Sequence, residues 1–203
     1  MIRTIRDERP LKTLDAPRKN RGTATDSLSE LEHAVLGIVW KEGPCTRYTV
    51  RSRFQDSPSS HWSGSAGSIY PLVDRLERRE LLRSSAQTQG RRKSRAVSVT
   101  EEGRRVLVDW LRPPISEQAV AVHFDGLRTR MFFLEVLTPK QRVRFLEDTE
   151  ERLVQAVESA RAYAQSFRDA GDEFGWLAAR GALRVTRARL AWIREVRREL
   201  EAG

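Results

Sequence analysis

The 203-residue sequence predicts a mainly α-helical protein with two folded parts. Apolar residues recur at intervals of three and four through most of residues 28–111 and again through 138–196. Ala96-Val97-Ser98-Val99-Thr100 alternates instead, which is typical of one strand of a hairpin. Because proline cannot continue a helix, Pro113-Pro114 separates the two parts. We expect a disordered basic tail over residues 1–25, a helical domain with one hairpin over 26–112, and a domain of two long antiparallel helices over 113–203.

The charge of the chain favours an acidic partner. It has 37 Lys+Arg against 28 Asp+Glu, a formal net charge of +9. Residues 1–25 carry 7 basic and 3 acidic groups, residues 26–112 carry 15 and 11, and residues 113–203 carry 15 and 14. The excess therefore lies before residue 113, where we expect contact with nucleic acid or an anionic membrane. The tail is either a solvated leader or a source of weak phosphate attraction.

Several classes of protein do not fit the sequence. The single cysteine, Cys45, cannot form an internal disulfide, and we expect it to be a small buried residue, with redox sensing as the alternative. His33, His61 and His123 are scattered and have no nucleophile or carboxylate at motif spacing, so we expect neither an enzyme nor a metal or other cofactor. No apolar run approaches the roughly 20 residues that span a bilayer. We expect a cytoplasmic, nucleoid-associated protein.

Local signals mark the first two helices. Ser27 followed by Glu30 has capping-box spacing, and Gly43-Pro44 ends the apolar pattern that follows. Thr46 is placed to cap a short second helix that runs to about Phe54. The first helix also has a second apolar flank, wider than one packing face requires, which favours contact with another chain over burial in a monomer. The flank residues assigned to this contact are Leu36 and Trp40.

A serine-rich turn over residues 57–68 leads into a third helix, which we expect to enter a DNA groove. Ile69, Leu72, Val73 and Leu76 keep helical spacing on one side, and small or polar residues occupy the other. Free backbone N–H groups and serine hydroxyls near Gly67 can reach phosphate, and larger side chains can reach base edges. The DNA-contacting residues expected from this region are Ser65, Ser68, Tyr70, Pro71, Arg75 and Arg78.

A hairpin with a basic tip follows. Between Arg83 and Arg95 there are five basic groups and no acidic one, with Gly90 at the turn. Thr100 then caps a fourth helix that begins with Glu101-Glu102. The order of three helices, hairpin and helix is that of a winged helix-turn-helix domain with a two-stranded wing. We expect phosphate contacts from the wing residues Arg91, Arg92, Lys93 and Arg95.

Residues 28–111 resemble the winged-helix domain of PadR-type transcriptional regulators. The segments that carry the resemblance include Gly67-Ser68-Ile69-Tyr70-Pro71-Leu72, Gly90-Arg91-Arg92-Lys93 and Ser98-Val99-Thr100-Glu101-Glu102-Gly103. The resemblance implies that Ser68 and Tyr70 lie on the recognition helix and that the basic tip forms the wing. It also implies a repressor whose C-terminal helices pair two subunits. Arg47 departs from the pattern, because the family commonly has glycine there.

The C-terminal part predicts a dimerisation arm. Thr138-Pro139 starts one long helix, Gly171-Asp172 breaks it, and the second long helix carries two apolar stripes. A two-helix arm cannot cover both stripes, so one should meet another chain or the winged domain. The alternative is an intramolecular bundle with the first helix and residues 117–137. The arm residues assigned to dimerisation are Leu146, Leu153, Val157, Val185, Trp192 and Val196.

Together these features predict a sequence-specific DNA-binding regulator, a homodimeric repressor on a palindromic operator. A small-molecule effector that changes the angle between arm and winged domain would alter the fit to DNA. Trp62, His123 and Phe124 are the residues that could line its pocket, with core packing as the alternative. The alternative function is a basic peripheral membrane-surface protein, or a general nucleic-acid-binding protein without operator specificity.

Overall fold

The computed structural model describes residues 27–89, 92–121 and 124–202. The expected tail, Arg91 and His123 lie outside these residues. The fold class predicted from the sequence is confirmed: a helical domain with a small antiparallel sheet precedes two long helices. The elements of the first domain are α1 (Glu30–Glu42), β1 (Cys45–Thr46), α2 (Arg47–Gln55), α3 (Ser60–Ser65), a 3-10 turn (Ala66–Ser68), α4 (Ile69–Arg78), β2 (Leu82–Gln89), β3 (Arg92–Val99) and α5 (Glu101–Leu111).

Side-chain caps begin three of these helices. The Thr46 hydroxyl accepts from the Thr49 N–H at α2, and the Thr100 hydroxyl accepts from the Gly103 N–H at α5, as predicted. The prediction for α1 was wrong by two residues. Its cap is Ser29 rather than Ser27, and Ser29 forms a capping box with Glu32.

The predicted serine-rich turn is largely helical, which corrects the expected start of the third helix. Residues 60–65 form α3, and the 3-10 turn joins it to α4. Trp62 anchors α3 by stacking on Phe54, with ring centroids 4.8 Å apart. Pro71 lies one turn after Gly67 and has no N–H to donate to its carbonyl, which accounts for the irregular turn between the two helices.

The wing is part of a three-stranded sheet with strand order β1-β3-β2. Strands β2 and β3 pair antiparallel from Leu82↔Val99 to Gln89↔Arg92, so the predicted hairpin is confirmed. The two-residue strand β1 was not predicted, and it pairs with β3 through Cys45↔Val97. It ties the base of the wing to the start of α2.

The core of the first domain surrounds α1, which contacts α2, α4, α5 and β3. Val35, Leu36, Val50, Phe54 and Ile69 are fully buried in it. The assignment of Leu36 to a subunit interface was therefore wrong, because its side chain is already enclosed by its own domain.

The C-terminal part is an antiparallel pair of long helices preceded by short ones. The elements are α6 (Glu117–Val120), α7 (Gly126–Met131), a 3-10 turn (Leu134–Val136), α8 (Pro139–Asp169) and α9 (Glu173–Ala202). Thr138 caps α8 in a capping box with Gln141, and Pro139 is in the first turn, as predicted. Gly171 makes the turn between the helices with φ of +68°, a conformation that favours glycine.

The stripe predicted for dimerisation on α8 packs inside the chain. Leu146, Leu153 and Val157 are buried against the α9 residues Leu183, Leu190 and Ile193. Their assignment to a subunit interface was therefore wrong, because α9 already covers them. No helix in the described part of the chain combines the length and apolarity needed to cross a membrane.

The turn between α8 and α9 contacts the winged domain. The Lys41 ammonium, near the end of α1, forms an ion pair with Asp172 and lies 5.6 Å from the centre of the Phe167 ring. Burial of the Asp172 carboxylate would raise its pKa. The bonds from Lys41 and the Gly175 N–H outweigh burial, so the pKa of Asp172 is lowered. This contact joins the two domains at one end of the arm.

Candidate nucleic-acid interface

Helix α4 has one buried and one exposed face. Ile69, Leu72, Val73 and Leu76 are buried in the domain core, as their spacing predicted. Tyr70 is 39% exposed, and Pro71, Asp74 and Arg78 are also exposed. The side of α4 that carries the predicted DNA contacts is therefore open to a partner.

The serines before α4 do not supply the free donors that the sequence analysis expected. The Ser65 hydroxyl donates to the His61 carbonyl at 2.7 Å, and the Ser68 hydroxyl donates to the Ser65 carbonyl at 2.8 Å. Because α3 begins at Ser60, Gly67 is no longer near a free helix N-terminus. Ser65 and Ser68 remain predicted contacts. While these bonds persist, however, neither hydroxyl has a hydrogen to donate to phosphate.

Arg75 is held by the protein, which argues against the predicted base contact. Its Nη1 lies 3.1 Å from Oε1 of Glu32, a side chain that is only 3% exposed. Oε2 of Glu32 accepts two bonds of 2.8 Å, from the backbone N–H and the hydroxyl of Ser29. Burial would raise the pKa of Glu32, but the Ser29 bonds and Arg75 outweigh burial and lower it. The network fixes α4 to the start of α1.

A second charged network surrounds Arg47, a residue that the sequence analysis did not assign to the site. Arg47 Nη1 lies 2.5 Å from Oδ1 of Asp74, and Nη2 lies 2.5 Å from Oε2 of Glu77. The other oxygen of Glu77 accepts from the Ser84 hydroxyl on β2. One guanidinium thus connects α2 with α4, and Glu77 connects α4 with the wing. The departure from glycine at position 47 was the only sequence signal of this role.

The wing extends the exposed surface next to α4. Arg95 is exposed on β3, opposite Ala86, and Arg83 on β2 donates from Nε to the Ser98 hydroxyl at 3.3 Å. The β3 residues Arg92 and Lys93 pair with Gln89 and Thr88, at the end of the hairpin where the predicted phosphate contacts lie. Arg91 lies outside the described residues.

Of the expected effector pocket, the structure describes Trp62 and Phe124. Trp62 stacks on Phe54 at the edge of the winged-domain core, Phe124 is 85% exposed, and His123 lies outside the described residues. Neither of the two cavities described, of about 320 and 510 Å³, is lined by Trp62 or Phe124. Core packing, the alternative reading, fits Trp62.

Four predicted dimer contacts retain exposed surface. Trp40 is 59% exposed on α1, and Val185 is 63% exposed on α9. Trp192 and Val196 are partly buried against the α8–α9 core. The buried stripe of α9 is therefore the one with Leu183, Leu190 and Ile193, and the stripe with Val185 faces outward.

Cys45 is not placed for redox chemistry. Its side chain is buried in β1. Burial, with a smaller effect of Glu42, raises the pKa of the thiol. The reactive thiolate form is therefore disfavoured.

Two family models match separate parts of the chain. Residues 35–109 match the model described as "Transcriptional regulator PadR-like family", and residues 125–201 match "Virulence activator alpha C-term". A curated relative, the negative transcriptional regulator PadR of Bacillus subtilis (strain 168), is 22% identical over 177 residues, which cover 82% of this chain and 94% of that protein.

Two solved structures of Bacillus subtilis PadR share the fold. The complex with operator DNA has a TM-score of 0.73 and 19% identity and covers 86% of this chain and 99% of that one. The complex with p-coumaric acid has a TM-score of 0.66 and 17% identity, with coverage of 86% and 99%. The winged domain, over residues 35–109, therefore matches the PadR-like family of transcriptional regulators, and the chain shares the fold of Bacillus subtilis PadR.

Proposed function

We propose that the protein is a homodimeric, sequence-specific regulator that places α4 in the major groove of operator DNA and the wing against the flanking phosphates. The observation that carries the proposal is the division of α4, whose apolar side is buried in the core while Tyr70 and Arg78 face outward beside the wing. Base edges are read by side chains on such a helix, whereas a basic hairpin contributes contacts that do not depend on sequence.

Exposed apolar surface supports a dimer. Phe133 is 64% exposed, Val136 82% and Val185 63%, and Trp40 adds a further exposed ring. Contact with a second chain would remove these side chains from water. Two winged domains related by a dyad would set their recognition helices about one DNA turn apart, roughly 34–36 Å, which favours a palindromic operator.

Negative control of transcription and release by an effector complete the proposal. The Bacillus subtilis relative is a negative regulator, and its structures include complexes with operator DNA and with p-coumaric acid. An effector of this chain would act by changing the angle between arm and winged domain. The proposal places the protein in the cytoplasm, on the nucleoid.

The test begins with duplex fragments selected from genomic DNA by the wild-type protein. Replacing Arg91, Arg92 and Lys93 by Ala should weaken binding to the selected and a scrambled duplex alike, and Tyr70→Ala should mainly reduce the preference between them. If the dimer neutralises ~6–10 phosphates, the logarithmic salt slope should lie near −5 to −9. Equal effects of the two variants would refute the division of roles. A slope near zero would refute the phosphate contacts.

Two further measurements decide the remaining alternatives. Sedimentation of the free protein should give twice the 23.3 kDa chain mass, and a monomer would refute the role of the arm. Binding to anionic vesicles without binding to duplex DNA would instead support a membrane-surface protein.

A further inference from the structure

We propose that Arg47 is a positioning residue that neutralises the carboxylates of the recognition helix, so that α4 can approach DNA. This inference rests on the proposed DNA-binding function. It assigns Arg47 a role that operates through Asp74 and Glu77 rather than through its own contact with DNA.

The two acidic side chains of α4 need a basic partner if the helix is to approach phosphate. The helix carries the carboxylates Asp74 and Glu77 against the guanidinium groups of Arg75 and Arg78. Glu32, from outside the helix, already pairs with Arg75. If Arg47 were removed, Asp74 and Glu77 would lose the ion pairs that they form with it, and the exposed face of α4 would become more negative toward phosphate. Charges of like sign across an interface weaken association.

The geometry suits arginine in particular. The two carboxylates lie one turn apart on α4, and each is 2.5 Å from a different Nη atom of the same guanidinium. The Arg47 side chain is 26% exposed and that of Glu77 is 19% exposed, whereas Asp74 is 52% exposed. A planar fork can serve both acids at once, which the point charge of a lysine ammonium does not do as well. Arg47 therefore neutralises both carboxylates from its position on α2.

The network lies on the exposed face of α4, among mainly basic residues. Asp74 is three residues after Pro71 and four before Arg78, on the exposed face of α4. Of the 15 charged groups between Arg47 and Arg95, only four are acidic, and Arg47 pairs with two of these four. Arg47 begins α2, so the group that neutralises these acids comes from outside α4.

The experiment measures the DNA affinity of four proteins. Each is tested on a duplex selected by the wild-type protein and on a scrambled duplex of the same length. Arg47→Ala should weaken binding to the selected duplex about 10- to 100-fold, because two acids then face phosphate. Adding D74N and E77Q to R47A should restore affinity to within about threefold of wild type, since the neutral amides no longer repel phosphate. The matched control Arg152→Ala removes an arginine that pairs with Asp148 in the arm, and it should bind like the wild type.

The rescue separates this role from the others. If the triple variant binds as weakly as R47A, Arg47 acts through its own phosphate contact or through helix orientation, and the proposal is overturned. R47A binding within twofold of wild type would also overturn it. Thermal unfolding checks that each variant is folded, and Arg47→Gln replaces R47A in the same comparison if R47A is unfolded. A wild-type protein that does not distinguish the two duplexes would overturn the proposed function itself.

Discussion

Replacing Glu32 by Gln tests how α4 is held against α1. Glu32 is 3% exposed, and its carboxylate accepts two bonds of 2.8 Å from Ser29 and one of 3.1 Å from Arg75. Glutamine keeps one accepting oxygen, so its NH2 group must face either the Ser29 donors or the Arg75 guanidinium. One set of donors is then left without an acceptor in a buried position.

The size of the loss follows from these contacts. A hydrogen bond to a charged group contributes about 1.5–3 kcal/mol. The Arg75 contact is discounted to about 1 kcal/mol or less, because the Arg75 side chain is 53% exposed. We expect Glu32→Gln to lower the free energy of unfolding by about 2 kcal/mol, and Tm by about 4–8 °C in a protein of this size. The matched control is Glu101→Gln, which removes a surface ion pair with Arg104 and should leave Tm nearly unchanged.

The loss should also depend on pH. The pKa of Glu32 lies below its usual value of 4.5 in the folded protein, so unfolding raises its affinity for a proton. The stability that the carboxylate contributes is therefore complete above about pH 4.5 and is lost as the pH falls through the folded pKa. Urea unfolding of wild type and Glu32→Gln at pH 7 and at pH 4 measures both effects. A difference under about 0.5 kcal/mol at pH 7, or one that grows at pH 4, would refute this account of the network.

Three further predictions concern packing, protonation and the contact between the domains. Gly103→Ala should destabilise the fold by about 1–3 kcal/mol, because its Cβ would overlap the backbone carbonyl of Leu81, whereas Gly64→Ala, with open space around it, should not destabilise the fold; urea titrations compare the two. Burial lowers the pKa of His33, so its protonation opposes folding; wild type should lose more stability between pH 7.5 and 5.5 than His33→Gln, and equal losses would contradict this. Lys41→Ala should change Tm little, because its ion pair with Asp172 is partly exposed. It should, however, reduce the dependence of DNA affinity on the spacing between half-sites. An unchanged dependence on spacing would exclude a role of Lys41 in fixing the arm.

The parts of the fold set by local chemistry were predictable from the sequence. The caps Thr46, Thr100 and Thr138 each accept from the N–H three residues later, which adjacent residues alone determine. Ser27 and Ser29 are both followed by glutamate three residues later, so the capping rule does not choose between them. The Ser29 cap is accompanied by a long-range contact, because its partner Glu32 also pairs with Arg75, which is 43 residues away.

The features that were missed depend on tertiary contacts. Serine and glycine are weak helix formers, yet α3 forms where Trp62 stacks on Phe54 and Ala66 is buried. Strand β1 has two residues, and only its pairing with β3 identifies it. The sequence indicated an outward apolar stripe on α9 that includes Val185, but it did not show that Leu146, Leu153 and Val157 on α8 are covered by the other stripe. The position of Arg47 near α4 likewise depends on acids 27 and 30 residues away in the chain.

The affinity ratio between a selected operator duplex and a scrambled duplex of the same length tests the central claim most directly. It should be measured at physiological salt with the wild-type protein, because electrostatic attraction alone supports binding to both duplexes. If α4 reads bases, the selected duplex should bind at least about 1,000-fold more tightly. A ratio near one would contradict the account, and the protein would then be a basic nucleic-acid-binding protein without an operator.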